Sequence, residues 1–341
     1  MVFMLALGAG ALWRADALAG PPSPASGPPA NGAPPDLPEP IKPLPPAEAL
    51  DESRVRLGAA LFIDTRLSRG NARACVSCHD VRTNGANCEQ VGAGSAGKRR
   101  PRNPLTVFNS SLNYRQFWDG RLATQEEVID EVIRQPSEMN NTWAEVLRAL
   151  RTDQGMVDRF AEVYPDGIQR ANVENALATF LRSLRTPDAR FDRYLQGDVH
   201  ALTADEIHGY RLFKEYGCVG CHQGANVGGN MFQVMGVVRS PDRFGVDAQG
   251  NHDWGRYEVT GQDADRLVFR VPSLRNVAVT APYLHDGSAK HLDDAVRVMF
   301  EYQLGWHASD QDVGLIVKFL GTLTGRYEGR ALTQAREEKT R

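Results

Sequence analysis

Two short segments, Cys75-Val76-Ser77-Cys78-His79 and Cys218-Val219-Gly220-Cys221-His222, constrain this chain more than anything else in it. Two thiols separated by two residues, with a histidine directly after, form the attachment pattern of a c-type haem. Each thiol adds to one vinyl group of the porphyrin, and the adjacent histidine is placed to put an imidazole nitrogen on the iron. Taken singly, either segment also reads as a disulfide, a redox Cys-x-x-Cys pair or half of a zinc site. A histidine in the same place after both pairs favours haem, so two covalently bound haems c are expected, on Cys75 and Cys78 and on Cys218 and Cys221, with His79 and His222 as iron ligands. The fifth cysteine, Cys88, then has no partner within the chain and reads as a free thiol or as half of an intermolecular disulfide.

Haem of this type is attached outside the cytoplasm in c-type cytochromes, and the N-terminus fits export. Residues 2–13 are an apolar run, and Ala17-Leu18-Ala19 follows with small residues where a signal peptidase cuts. The run falls short of the roughly 20 residues that span a bilayer. A signal peptide over 1–19 and a periplasmic location are expected, with no stable membrane insertion. Residues 20–46, rich in Pro, Ala, Gly and Ser, read as a disordered tether. A formal net charge of -3, with basic residues spread along the whole chain, excludes a polynucleotide-binding surface.

Both cysteine motifs are preceded by one signature, Gly58 with Leu61-Phe62 and Gly209 with Leu212-Phe213, which reads as an internal duplication. Thr203 with Glu206, and Thr124 with Glu127, are capping boxes that start helices. Helical periodicity recurs at Trp143, Val146, Leu147 and Leu150, at Val173 through Leu184, and at Val313, Ile316, Val317 and Leu320, while strand-like alternation is scarce. The expected fold is mainly α: two cytochrome c-type helical domains with long connecting loops, each holding one haem. Their expected bounds are 47–199 and 200–330, with a junction near Gly197 and Asp198 and an exposed polar tail over 331–341.

Six blocks in order, LFIDTRLS, PRNPLTVFN, FWDGR, PSEMN, LTADEIHGYRLF and VPSLRNVAVTAPYLHDG, make the chain from Gly58 to about Leu323 resemble the bacterial di-haem cytochrome c peroxidases, a superfamily shared with the MauG-type enzymes. The resemblance implies that the N-terminal haem meets hydrogen peroxide and the C-terminal haem receives electrons from a small cytochrome c or cupredoxin. It places Met299 as the axial ligand of the second haem, where a thioether raises the potential and closes the iron to peroxide. By periodicity alone Met299 shares a helix face with Leu292, Ala295 and Val296 and reads as core. Many MauG-type members carry tyrosine there, so methionine favours peroxide reduction over oxidation of a partner protein. A non-enzymatic electron carrier is the remaining alternative.

Carried over residue by residue, the resemblance makes Glu138 the distal carboxylate that moves a proton between the peroxide oxygens, and Trp118 the aromatic ring between the haems. Without it, Glu138 is a surface carboxylate and Trp118 a packed indole. Asn103, Thr280 and Pro282 match an inter-haem calcium site of hard oxygen ligands. A homodimer is also what the family suggests. The chain departs from the family where Gln and Pro are common, at Val128 and Val132, and a drier pocket raises a carboxylate pKa. It also lacks a histidine between His79 and His200, with Ala93 about where one would close the first haem, so that haem is expected to be open without reductive unlocking. His285 lies in a matching block and reads either as a neighbour of the second haem or as a hydrogen-bonded loop residue. His200, His208, His252, His291 and His307 read as surface.

Overall fold

The computed structural model describes residues 39–86, 102–239 and 252–334. The expected signal peptide and most of the tether, Cys88, Ala93 and the last residues of the expected tail lie outside the described residues.

Helices dominate. They are α1 (Glu52–Phe62), α2 (Gln125–Arg134), α3 (Trp143–Arg151), α4 (Gln154–Val163), α5 (Arg170–Ser183), α6 (Arg190–Leu195), α7 (Ala204–Glu215), α8 (Tyr257–Thr260), α9 (Leu292–Val298) and α10 (Asp310–Gly321). The helix starts follow local chemistry. Asp51 accepts from the Ser53 and Arg54 amides at 2.9 and 3.0 Å ahead of α1. Reciprocal Thr–Glu boxes at Thr124/Glu127 and Thr203/Glu206 open α2 and α7, as the sequence predicts. Among the described residues, strands are confined to two short antiparallel pairs, β1 (Phe232–Val234) with β2 (Val268–Arg270) and β3 (Arg326–Tyr327) with β4 (Arg330–Ala331).

The duplicated glycines explain how the scaffold packs. At Gly58, α1 crosses α5 so closely that an added Cβ would overlap the Ala176 carbonyl oxygen. At Gly209, α7 crosses α10, where a Cβ would overlap the Leu315 carbonyl oxygen. The signature's phenylalanines then meet one on the crossing helix, Phe62 against Phe180 at 5.1 Å between ring centroids and Phe213 against Phe319 at 5.2 Å.

Each crossing sits in its own hydrophobic core. Leu57, Leu61, Ile129, Val146, Phe160 and Leu177 belong to the first, and Leu212, Phe213, Ile316, Phe319 and Leu323 to the second. Every fully buried leucine or phenylalanine of this kind contributes roughly 1.5–3 kcal/mol. The division between cores does not follow the expected junction at Gly197. α6 already belongs to the second core, with Phe191 4.7 Å from Tyr210 and 5.0 Å from Phe319. In return, the β3–β4 hairpin rejoins the first core: Tyr327 packs on Phe108 at 5.1 Å, and Leu332, expected in an exposed tail, is 7% exposed. The end of the expected tether is also built in. Ile41 is fully buried in the second core and bridges to Gly224, and Glu39 bonds Tyr210 and Lys214. One isoleucine among the prolines supplies the apolar burial that the stretch otherwise lacks.

The duplication runs deeper than the helices. Asn109 and Asn276 both take left-handed φ, 57° and 63°, and both are completely buried. Each amide oxygen accepts one backbone N–H, from Thr186 at 3.1 Å and from Gly325 at 3.0 Å. The same spacing then pairs Gln116 with Tyr283, Phe117 with Leu284, Trp118 with His285, Gly120 with Gly287, Thr124 with His291 and Val132 with Met299. The loops match in detail. Gln116 donates to Leu122 O at 2.8 Å and Tyr283 to Ala289 O at 2.7 Å, and Phe117, Leu284 and both glycines have positive φ.

Candidate active site

Each cysteine motif forms one tight helical turn that holds both thiols and the histidine together, with His79 and His222 N–H closing onto Cys75 O and Cys218 O at 3.0 and 2.9 Å. The His79 ring places Nδ1 3.0 Å from Gly85 O. With the proton on Nδ1, that bond leaves Nε2 as the free, basic nitrogen. His222 Nδ1 is buried against the Val227 and Pro272 backbone without closing a hydrogen bond of normal geometry, and burial pushes this imidazole down to about 4. Both histidines are therefore neutral at pH 7, the form that binds metal. Close approach is arranged at Gly228, with φ of 125°, where a Cβ would sit 3.4 Å from His222 Nδ1 and overlap Pro272 O. Paired thiols and a neutral imidazole fit a thioether-linked haem at both motifs, and at the second the backbone beside the ring is cleared as well.

The first motif lies near a half-buried acid. Glu138 follows α2 in a turn tied by its N–H to Gln135 O at 2.9 Å. Its carboxylate accepts no hydrogen bond from the described residues, and burial raises its pKa above the ordinary range. The Arg121 charge opposes that rise, Glu131 adds to it and Arg73 opposes it. Cys75 is pushed up to about 12, chiefly by burial, with the Cys78 and Glu138 charges adding, so the acid lies within electrostatic reach of the attachment thiols. Sequence reasoning placed Glu138 but missed Arg121 and Glu131. Arg121 lies 3.1 Å from Asp119 and 3.5 Å from Glu131, and its guanidinium covers the Phe117 ring at 3.6 Å. The signal was present, since Arg121 ends the FWDGR block.

The second half carries a thioether, Met299, in a cluster of its own. Leu292, Ala295 and Val296 join the second core, as their shared face predicts, but Met299 leaves it. The backbone passes from α9 into a π-helical turn at Met299–Leu304, and Met299 packs instead with Trp118, Met235 and Phe269. Such turns re-aim side chains and recur at functional sites. In the first half the equivalent residue is Val132, partly buried against the first core and without a donor atom.

Between the halves, Trp118 is 9% exposed and donates Nε1–H to Asn103 O at 2.8 Å. His285, its repeat partner, stacks on Phe269 at 4.3 Å and meets the indole edge-on at 6.3 Å, so it is a buried loop residue of the inter-half contact. Behind them Asp119, fully buried, joins Arg121 to Arg102 at 3.1 and 2.6 Å, and Arg102 continues to Asp253 at 2.6 Å. The Asn103 side-chain amide lies 2.6 Å from Pro282 O and 3.0 Å from Leu284 O. A half-turn of that amide brings its oxygen to the same place, so Asn103 and Pro282 offer converging hard oxygens that suit Ca²⁺. Thr280 stands in the same loop with its hydroxyl bonded to Val277 O at 3.2 Å. His200, His208, His252, His291 and His307 are exposed, as expected.

Comparison with known proteins places this geometry. A family model described as di-haem cytochrome c peroxidase matches residues 52–200. A cytochrome c peroxidase of Escherichia coli is 40% identical over 85% of this chain, which spans 62% of that relative. A cytochrome c551 peroxidase of Nitrosomonas europaea is 39% identical, covering 84% of both chains. Among solved structures, a MauG-like protein associated with microbial copper homeostasis matches with a TM-score of 0.71 and 27% identity, over 86% of this chain and 96% of that one. The chain belongs to the di-haem cytochrome c peroxidase family, a family of enzymes.

Proposed function

We propose that the chain is an exported, periplasmic di-haem peroxidase that reduces hydrogen peroxide to water with electrons from a small cytochrome c or cupredoxin. Cys75, Cys78 and His79 would hold one haem c, and Cys218, Cys221, His222 and Met299 the other. When bound, the haems supply the iron at which the peroxide bond breaks and the store for the two electrons. The observation that carries the reading is the pairing of Val132 with Met299 in the repeat. The Met299 thioether would close the second site, while Val132 in the first has nothing to donate and Glu138, a few residues on, would serve the substrate there.

Glu138 then has one task. It takes the proton from the near peroxide oxygen as a base and returns it to the far oxygen as an acid, for which its raised pKa suits it. Arg121 holds a positive charge beside it and limits that rise. Trp118, packed with Met299 on one side and bonded to Asn103 on the other, spans the route for electrons between the halves. Asn103, Thr280 and Pro282 would hold a calcium ion that fixes this junction, and a homodimer is the expected assembly.

The oxidised holoprotein tests the reading through its electronic and paramagnetic-resonance spectra, before and after one equivalent of peroxide. A high-spin haem beside a low-spin His/Met haem, with the first bleached quickly in the wild type and slowly in Glu138→Gln, is the expected result. Two low-spin haems that ignore peroxide even after half-reduction would leave an electron carrier.

A further inference from the structure

Arg270, at the end of β2, is 2% exposed. Its guanidinium is held by oxygens alone, with Nε donating to Phe117 O at 3.1 Å and Nη1 to Asn113 Oδ1 and Val271 O at 3.3 Å. Among the described residues no carboxylate bonds it. Burying an unpaired cation costs several kcal/mol. Burial lowers the Arg270 pKa to about 10, which still leaves it protonated at pH 7.

The repeat supplies a reason for keeping a charge there. By the spacing that pairs Trp118 with His285 and Val132 with Met299, the counterpart of Arg270 is Asn103. Asn103 N–H donates to His285 O at 2.8 Å, and Arg270 N–H donates to Trp118 O at 2.8 Å. The Asn103 side chain reaches Leu284 O at 3.0 Å, and the Arg270 side chain reaches the carbonyl of Phe117, the partner of Leu284, at 3.1 Å. Asn113, which Arg270 also touches, is the partner of Thr280. Asn103 and Thr280 thus have an image in the other half, Arg270 bonded to Asn113, with a guanidinium inside it, while Pro282 pairs with Arg115, outside the Arg270 bonds.

We propose that Arg270 is a built-in cation that takes, in one half of the repeat, the place that a calcium ion takes at Asn103 in the other. A guanidinium offers five N–H donors in a fixed plane, and a Ca²⁺ ion gathers about six to eight oxygens. Either cation draws loop oxygens together, the ion around the His285 loop and the arginine around the Trp118 loop. The chain therefore binds one Ca²⁺ where its symmetry would hold two, and the loop that carries Trp118 stays ordered whatever the calcium level. This inference rests on the calcium reading of the Asn103 site.

The test is calcium stoichiometry by titration calorimetry on the chelator-washed holoprotein, with CaCl₂ as the probe, alongside thermal midpoints with and without chelator. One Ca²⁺ per chain is expected in the wild type, and none there would sink the Asn103 reading itself. Given one, Asn103→Arg should bind none and show a midpoint that no longer responds to chelator. Arg270→Asn should bind two and be stabilised by calcium more than the wild type. An Asn103→Arg protein as unstable as the chelated wild type, or an Arg270→Asn protein that binds one Ca²⁺ with an unchanged midpoint, would overturn the proposal. Should Asn103→Arg fail to fold, Arg270→Asn decides it.

Discussion

The two halves share a scaffold down to the glycine at each helix crossing and the left-handed asparagine at each loop, yet they differ at the paired positions 132 and 299. The second half places Met299 there, in an apolar cluster with Trp118 and Phe269. The first half places Val132 there and sets a half-buried carboxylate, Glu138, a few residues further on. Under the proposed function, that one side chain would separate a site that holds electrons from a site that accepts peroxide. The first half adds an acid, Glu138, whose charge is coupled to that of Arg121.

Substitutions across the repeat put that contrast under strain. The largest effect is expected for Val132→Met, which gives the first half the second half's thioether. The first haem should become low-spin and peroxide turnover should fall below detection, and a high-spin, active variant would show that the repeat does not carry over to the iron. Glu138→Gln keeps the site open but removes the proton carrier, with an expected loss of about 10²–10⁴-fold in turnover. Stability should move the other way. A carboxyl whose pKa is raised in the folded state stabilises the fold at low pH, and that contribution is lost as pH rises through the raised value. The Gln variant should therefore melt on the order of a few degrees higher near pH 7 and gain nothing in acid.

Gly58→Ala and Gly209→Ala probe the shared scaffold. Each forces a methyl into a backbone carbonyl, and each should cost roughly 1–3 kcal/mol by denaturant unfolding. Unequal costs would mean that the two crossings are not equivalent. The smallest effect is expected for Arg121→Gln. Losing the charge that restrains Glu138 should move the acid limb of the pH–rate profile to higher pH, with less than about tenfold loss at its optimum.

Much of this was legible before any coordinates. The cysteine motifs, the Thr–Glu boxes and the helical periodicities of α3, α5 and α10 are local patterns, and local patterns survive folding. The Gly–Leu–Phe signature announced the duplication, but its extent stayed hidden, because Trp118 and His285 or Val132 and Met299 share a position and no chemistry. Domain bounds were read from composition, which has no means of showing that Phe191 and Leu332 each pack in the core beyond the expected border. Arg121 and Glu131 escaped notice because only the fold brings their two segments together and their charges to bear on Glu138.

That exchange of segments bears on how the chain holds together. α6 leaves the first half to join the second core, and the β3–β4 hairpin leaves the second half to join the first. Each core is finished by residues translated after or before the other, as two hands are clasped by crossing fingers. Neither half is a closed parcel that could be cut away with its own interior complete, so removing either is expected to expose apolar surface of the other.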